Sequence, residues 1–115
     1  MKPSKSLVAA SSKPLILGIL QKGPTYGYDI IQQIKALSGG ELEFADGMLY
    51  PVLHRLEKDN LVTSQWNQSD KGRHRKYYSI TEAGKEAIHT ERENWMGMHM
   101  VLMKLWSQNS KTQHG

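Results

Sequence analysis

The segment Gly47-Met48-Leu49-Tyr50-Pro51-Val52-Leu53-His54-Arg55-Leu56-Glu57 constrains the fold of this chain more than any other stretch. Leu49, Val52, Leu53 and Leu56 recur at intervals of three and four, the period of a helix with one apolar face. Such a helix turns Tyr50, His54 and Arg55 to its outer side, since burying residues of this kind together with Pro51 would be unusual. Further on, Lys71-Gly72-Arg73-His74-Arg75-Lys76 makes a basic loop that runs into Tyr77-Tyr78-Ser79-Ile80. A helix with an exposed polar side beside a basic hairpin is equipment for reading duplex DNA.

The elements around this core follow from local signals. Ser12 can cap a helix entered through Lys13-Pro14, because the missing proline N–H is no loss in a first turn. Leu15, Ile16, Ile19 and Leu20 form its apolar stripe, and Gly23-Pro24 ends it. Thr25 or Tyr26 opens a second helix with Tyr28, Ile31, Ile34 and Leu37 at helical spacing; this places Tyr28 on the core stripe, the alternative being that it touches DNA backbone alongside Tyr26. Ser38-Gly39-Gly40 stops it. Asp46 is the expected N-cap of the third helix, and Pro51 falls late enough in it to cost one hydrogen bond. Leu61 to Trp66 reads as a strand and 67–72 as a turn, with Arg75 to Ile80 as the partner strand. Thr81 caps a last helix that is expected to run to Trp106.

Helix, helix, helix, hairpin, helix gives an α+β, mainly α, winged helix-turn-helix with a long C-terminal dimerisation helix. The expected plan is a flexible N-terminal arm over 1–12, loosely helical as an alternative, a DNA-binding domain over 13–80, the dimerisation helix over 81–106 and a disordered tail over 107–115.

Composition narrows the function. With 115 residues and 38% hydrophobic content the core is small, so part of the apolar surface is expected to be covered by a second subunit. The net charge is +4, and residues 1–80 hold eleven Lys/Arg against seven Asp/Glu while 81–115 hold four of each. The whole excess therefore sits beside the candidate recognition helix, as a phosphate-binding surface requires. There is no cysteine, and no apolar run approaches the roughly 20 residues of a membrane span. A cytoplasmic protein is expected. The five histidines, His54, His74, His89, His99 and His114, lack ligand-like spacing, so neither metal nor cofactor is expected. No nucleophile–base pair, glycine-rich phosphate cradle or paired carboxylate points to an enzyme.

Three linked blocks then resemble a known family, the PadR-type transcriptional regulators. They are Gly23-Pro24-Thr25-Tyr26-Gly27-Tyr28-Asp29-Ile30-Ile31, Gly47 to Lys58, and Arg73-His74-Arg75-Lys76-Tyr77-Tyr78-Ser79-Ile80-Thr81-Glu82-Ala83-Gly84. The short last helix is similar to the compact subgroup that includes multidrug-responsive repressors. Met48 departs from the small hydroxyl residue more usual there, and His74 interrupts an otherwise arginine- or glycine-rich wing. The resemblance implies a homodimer whose last helices pack across a two-fold axis, with recognition helices in successive major grooves. It also implies that planar aromatic compounds stack on a tryptophan at the position of Trp95.

The expected DNA-contacting residues are Tyr26, Met48, Tyr50, Pro51, His54, Arg55, Lys71, Gly72, Arg73, Arg75 and Lys76. Arg55 can read guanine, bind a phosphate, or pair with Glu57 or Asp59. Strand alternation sends Arg75 and Tyr77 to one side and Lys76 and Tyr78 to the other. Leu7, Ile88, Trp95, Met98, Leu102 and Leu105 are the expected dimer contacts. The seam on the last helix suits either a partner helix or the chain's own first helix. Trp95, Met98 and His99 are the candidate sites for a hydrophobic aromatic ligand. The leading reading is a repressor that binds a palindromic operator as a homodimer. The alternative is a winged-helix protein–protein adaptor without sequence-specific DNA binding.

Overall fold

The computed structural model describes residues 3–68 and 74–114. The elements run α1 (Lys5–Leu20), β1 (Thr25–Tyr26), α2 (Gly27–Leu37), α3 (Asp46–Lys58), β2 (Val62–Gln68), β3 (His74–Ile80) and α4 (Glu82–His114). The strands form one antiparallel sheet in the order β1-β3-β2. Its register sets Tyr26 opposite Tyr77, Trp66 opposite Lys76 and Val62 opposite Ile80. No helix among the described residues is long and apolar enough to cross a membrane.

One core joins every layer. Ile16, Leu17 and Leu20 of α1 meet Ile30 and Ile34 of α2, Leu49 and Leu53 of α3, Val62 and Tyr78 of the sheet, and Ile88 of α4. Each such burial is worth about 1.5–3 kcal/mol relative to exposure. Three helices packed this way hold the hairpin at the end of α3, the geometry expected of a winged helix-turn-helix.

Several local expectations are corrected. The first helix begins at Lys5, capped by Ser4, whose Oγ accepts from the Leu7 N–H at 3.2 Å. Residues 5–12 therefore take the helical form of the arm and continue into the first helix without a break. Ser12 is not the cap: its hydroxyl donates back to the Val8 carbonyl at 3.0 Å, and Ser11 does the same to Leu7 at 2.9 Å. Back-bonding of this kind lets serine sit inside a helix. Pro14 is likewise internal, at the expense of one backbone hydrogen bond. Tyr28 is 64% exposed, because α2 buries Gly27, Ile30 and Ile34 instead of the face through Tyr28 and Leu37. At α3 the N-cap position falls on Ala45, with Asp46 in the first turn. The last helix continues through 107–114, where a disordered tail was expected. Extending an existing helix adds a hydrogen bond per residue with no new nucleation cost.

Two junctions fix the hairpin. Asn60 takes a left-handed conformation (φ 62°), and the Leu61 N–H reaches back to the Leu56 carbonyl at 2.9 Å, closing α3 and launching β2. At the far end the Thr81 hydroxyl accepts from the Gly84 N–H at 3.0 Å, the cap expected for α4. Gly84 packs so closely that a Cβ there would meet the Leu61 carbonyl oxygen and lie 2.6 Å from Ile80 Cγ1. Gly84→Ala should therefore lower unfolding stability by about 1–3 kcal/mol through overpacking. Urea unfolding checks this; an unchanged midpoint would mean the α4–sheet junction is looser than described.

Candidate nucleic-acid interface

The site begins with the setting of α3. Leu49, Leu53 and Leu56 are buried and Val52 half-buried, which leaves Tyr50, Pro51, His54 and Arg55 exposed along the outer side. The proline is tolerated because Gly47, whose carbonyl its missing N–H would have bonded, is itself exposed and can turn to water.

Tyr50 is held by a glycine. A Cβ on Gly27 would come within 2.7 Å of Tyr50 Cζ, so only glycine lets the ring lie against the first turn of α2. The Thr25 hydroxyl donates to Asp29 Oδ2 at 2.6 Å, and Gln33 Nε2 donates to the same oxygen at 2.7 Å. This ties β1 to α2 and fixes the entry into the helix.

The wing joins through Glu57. Ser64 on β2 donates to Glu57 Oε2 at 2.5 Å, and Lys76 Nζ on β3 lies 4.0 Å from Oε1. Lys76 also sits 5.8 Å from the Tyr78 ring centroid, on the face of the sheet that meets α3. On the other face the Arg75 guanidinium lies 4.3 Å above Tyr26, which makes a T-shaped contact with Tyr77 at a centroid distance of 5.4 Å. The expected alternation of Arg75 and Lys76 is thus observed. Both cations nonetheless border one open cleft of about 810 Å³, walled by Tyr26, Gly27, Tyr28, Tyr50, Trp66, His74 and Tyr78. An aromatic-lined cleft with two cations at its rim suits a sugar–phosphate chain, since the cations meet phosphate oxygens and the rings pack on sugars.

The structure brings together Tyr26, Tyr50, Arg75 and Lys76 of the expected set, with Pro51, His54 and Arg55 exposed along the same helix as Tyr50. Met48 is placed differently. It packs against the core and lines a separate groove with Val8, Leu42 and Glu43, so its side chain does not reach the Tyr50 cleft. Lys71, Gly72 and Arg73 lie outside the described residues. The sequence reading missed Gly27, Trp66, His74 and Tyr78 as walls of the cleft, and Tyr28, expected mainly in the core, joins them. Of these, Gly27, Tyr28, His74 and Tyr78 stood in the quoted blocks, whereas Trp66 is placed only by its pairing with Lys76.

The expected dimer residues divide. Ile88 is 3% exposed within the chain's own core and is not free to meet a partner, a correction to its assignment. Leu7 and Trp95 line an apolar groove of about 320 Å³ with Val8, Leu15 and Leu42. Beside it, Lys13 Nζ meets Glu91 Oε1 at 3.6 Å, so the lower end of α4 packs on α1. Beyond Trp95 the helix leaves the body: Met98 is 58% exposed, Leu105 is exposed and Leu102 is half-buried.

Comparison with known proteins matches these features. The model of the PadR-like family of transcriptional regulators fits residues 16–90, which hold α2, α3, both hairpin strands and the junction to α4. The chain belongs to the PadR-like family. It is a transcriptional regulator and not an enzyme. It is 30% identical to the negative transcriptional regulator PadR of Bacillus subtilis over 90 residues, or 78% of this chain but 47% of that protein. The chain thus spans about half the length of that curated relative. Among solved structures, a transcriptional regulator from Clostridium thermocellum superposes with a TM-score of 0.81 at 26% identity, covering 89% of this chain and 96% of that one. A PadR family regulator from Clostridium difficile gives 0.73 at 31% identity, with coverage of 83% and 97%.

Tyr78 offers a test of how the cleft is packed. Burial, with the neighbouring Tyr50 and Glu57, raises its hydroxyl pKa above the ordinary 10.0. The folded state therefore holds this proton more tightly than the unfolded chain. The stability it contributes is present below pH 10 and is lost as the pH climbs from there toward the folded value. Urea unfolding at stepped pH should show wild type losing stability relative to Tyr78→Phe above pH 10, and parallel profiles would contradict the buried setting.

Proposed function

We propose that this PadR-family regulator is a repressor that binds a palindromic operator as a homodimer in the cytoplasm. A hydrophobic aromatic ligand seated between the subunits would release the DNA. The exposed outer side of α3 beside a cleft rimmed by Arg75 and Lys76 carries the DNA-binding part. His54 and Arg55 would face base edges in the major groove, while Tyr50, Tyr26 and the wing cations would hold phosphates.

The dimer is supported by α4. Along the Trp95 line Met98 is 58% and Leu105 49% exposed, apolar side chains that the chain's own core leaves uncovered. Met98, Leu102 and Leu105 continue the line of Trp95 at coiled-coil spacing and would meet the same line on a second copy. Half-sites would then lie one helical turn apart, about 34–36 Å. The Bacillus subtilis relative, a negative transcriptional regulator, supports repression.

Leu102→Glu with Leu105→Glu should shift sedimentation from dimer to monomer and weaken operator binding. Arg75→Ala with Lys76→Ala should weaken DNA binding while leaving the dimer intact. If a dimer neutralises about eight phosphates, log affinity falls against log salt with a slope near −7, and the wing variant should flatten it. A monomeric wild type, or a wing variant with the wild-type slope, would overturn the proposal and favour a protein–protein adaptor.

The ligand would enter by Trp95, with Met98 and His99 beside it on the next turn. Titration with a planar aromatic dye should quench tryptophan fluorescence in wild type and much less in Trp95→Phe. Equal quenching would move the ligand elsewhere, Trp66 and Trp106 being the alternative reporters.

A further inference from the structure

Four of the chain's six methionines fall between residues 96 and 103 of α4. Successive residues turn about 100° around a helix. Met98 therefore lies on the Trp95–Leu102–Leu105 side, whereas Met96, His99, Met100 and Met103 share a second face. Their spacing is i, i+3, i+4 and i+7, which brings neighbours on this face to about 5–6 Å between Cβ atoms. Met96, Met100 and Met103 are 59%, 68% and 51% exposed, and His99 is exposed. The core is spread over α1, α2, α3, the sheet and Ile88, and takes in none of the four.

Three thioethers and an imidazole are a donor set with a definite preference. Soft thioether sulfur selects a soft monovalent ion such as Cu(I), and imidazole suits copper as well. Magnesium and calcium prefer carboxylate and carbonyl oxygen. The acidic residue nearest this face in sequence, Glu93, is occupied by His89 Nε2 at 2.9 Å. Three rotatable bonds in each methionine let the sulfur reach an ion centred over the helix surface. His99 and Met100 form the shared edge of two triangles, one closed by Met96 and one by Met103. Either triangle supplies three ligands.

We propose that Met96, His99, Met100 and Met103 form a Cu(I)-binding face on α4. The absence of cysteine makes the assignment sharp, because no thiolate in the chain can compete for the ion. A histidine census alone could not have found it. No group of three His, Asp or Glu side chains among the described residues could hold a metal. The site rests on the observed helix, shares only His99 with the ligand reading above, and lies off the Trp95–Leu102–Leu105 line given to the dimer.

The test is anaerobic titration of the full chain with Cu(I) against the chromophoric chelator bicinchoninate. Wild type should withdraw Cu(I) from the chelator. Met96→Leu, Met100→Leu and Met103→Leu combined should lose at least the roughly tenfold in affinity that removal of even an outer-shell partner costs. Met98→Leu, on the other side of the helix, should behave as wild type. X-ray absorption of the wild-type Cu(I) complex guards against a misfolded variant, because sulfur scatterers in a cysteine-free chain can come only from methionine. Failure of wild type to compete, full retention by the triple variant, or a copper shell of nitrogen and oxygen alone would each overturn the proposal.

Discussion

The rotational setting of α3 governs everything this protein presents to a partner. Leu49, Leu53 and Leu56 are buried against α1, α2 and the sheet, and a helix pinned at three points on one face cannot turn. Which residues face outward follows from that pinning and the 3.6-residue period alone. Tyr50 would still be free to swing, and Gly27 settles it by letting the ring lie against α2. Glu57 extends the same constraint to the hairpin, since it accepts from Ser64 and faces Lys76. Each contact is small, because a partly exposed ion pair at 4.0 Å adds at most about 1 kcal/mol. Their value is geometric: helix and wing hold one relative position.

Much of this was legible in the sequence wherever the signal was local. The apolar spacing of α3, the threonine cap of α4 and the alternation of Arg75 and Lys76 all follow from neighbours within a few residues. What escaped depends on distant partners. β1 is two residues long and is defined by Thr25 and Tyr26 pairing with Tyr78 and Tyr77, far along the chain. The cleft it helps to wall was unreadable for the same reason. In α2 two sets of apolar residues shared helical spacing, and only packing decided for Ile30 and Ile34 over Tyr28 and Leu37. Met48 failed similarly, since one step along a helix turns a side chain from the outer side toward the core.

The two ends of α4 serve different purposes. Ile88 and Glu91 fasten the helix to the body, through the core and through Lys13. From Met96 onward nearly every described residue is exposed, so this half is shaped for something outside the chain. One side continues the Trp95 line and suits a second copy. The other gathers thioethers and an imidazole. An apolar helix can offer two distinct surfaces because methionine is both a hydrophobe and a soft ligand.

The central claim is that α3 and the wing, doubled by α4, grip two successive grooves of DNA. Hydroxyl-radical footprinting of a bound promoter fragment reads that geometry directly. The account predicts two protected patches about one helical turn apart, related by a dyad, with the wings' contacts flanking them. A single patch, or even protection along the whole fragment, would contradict it.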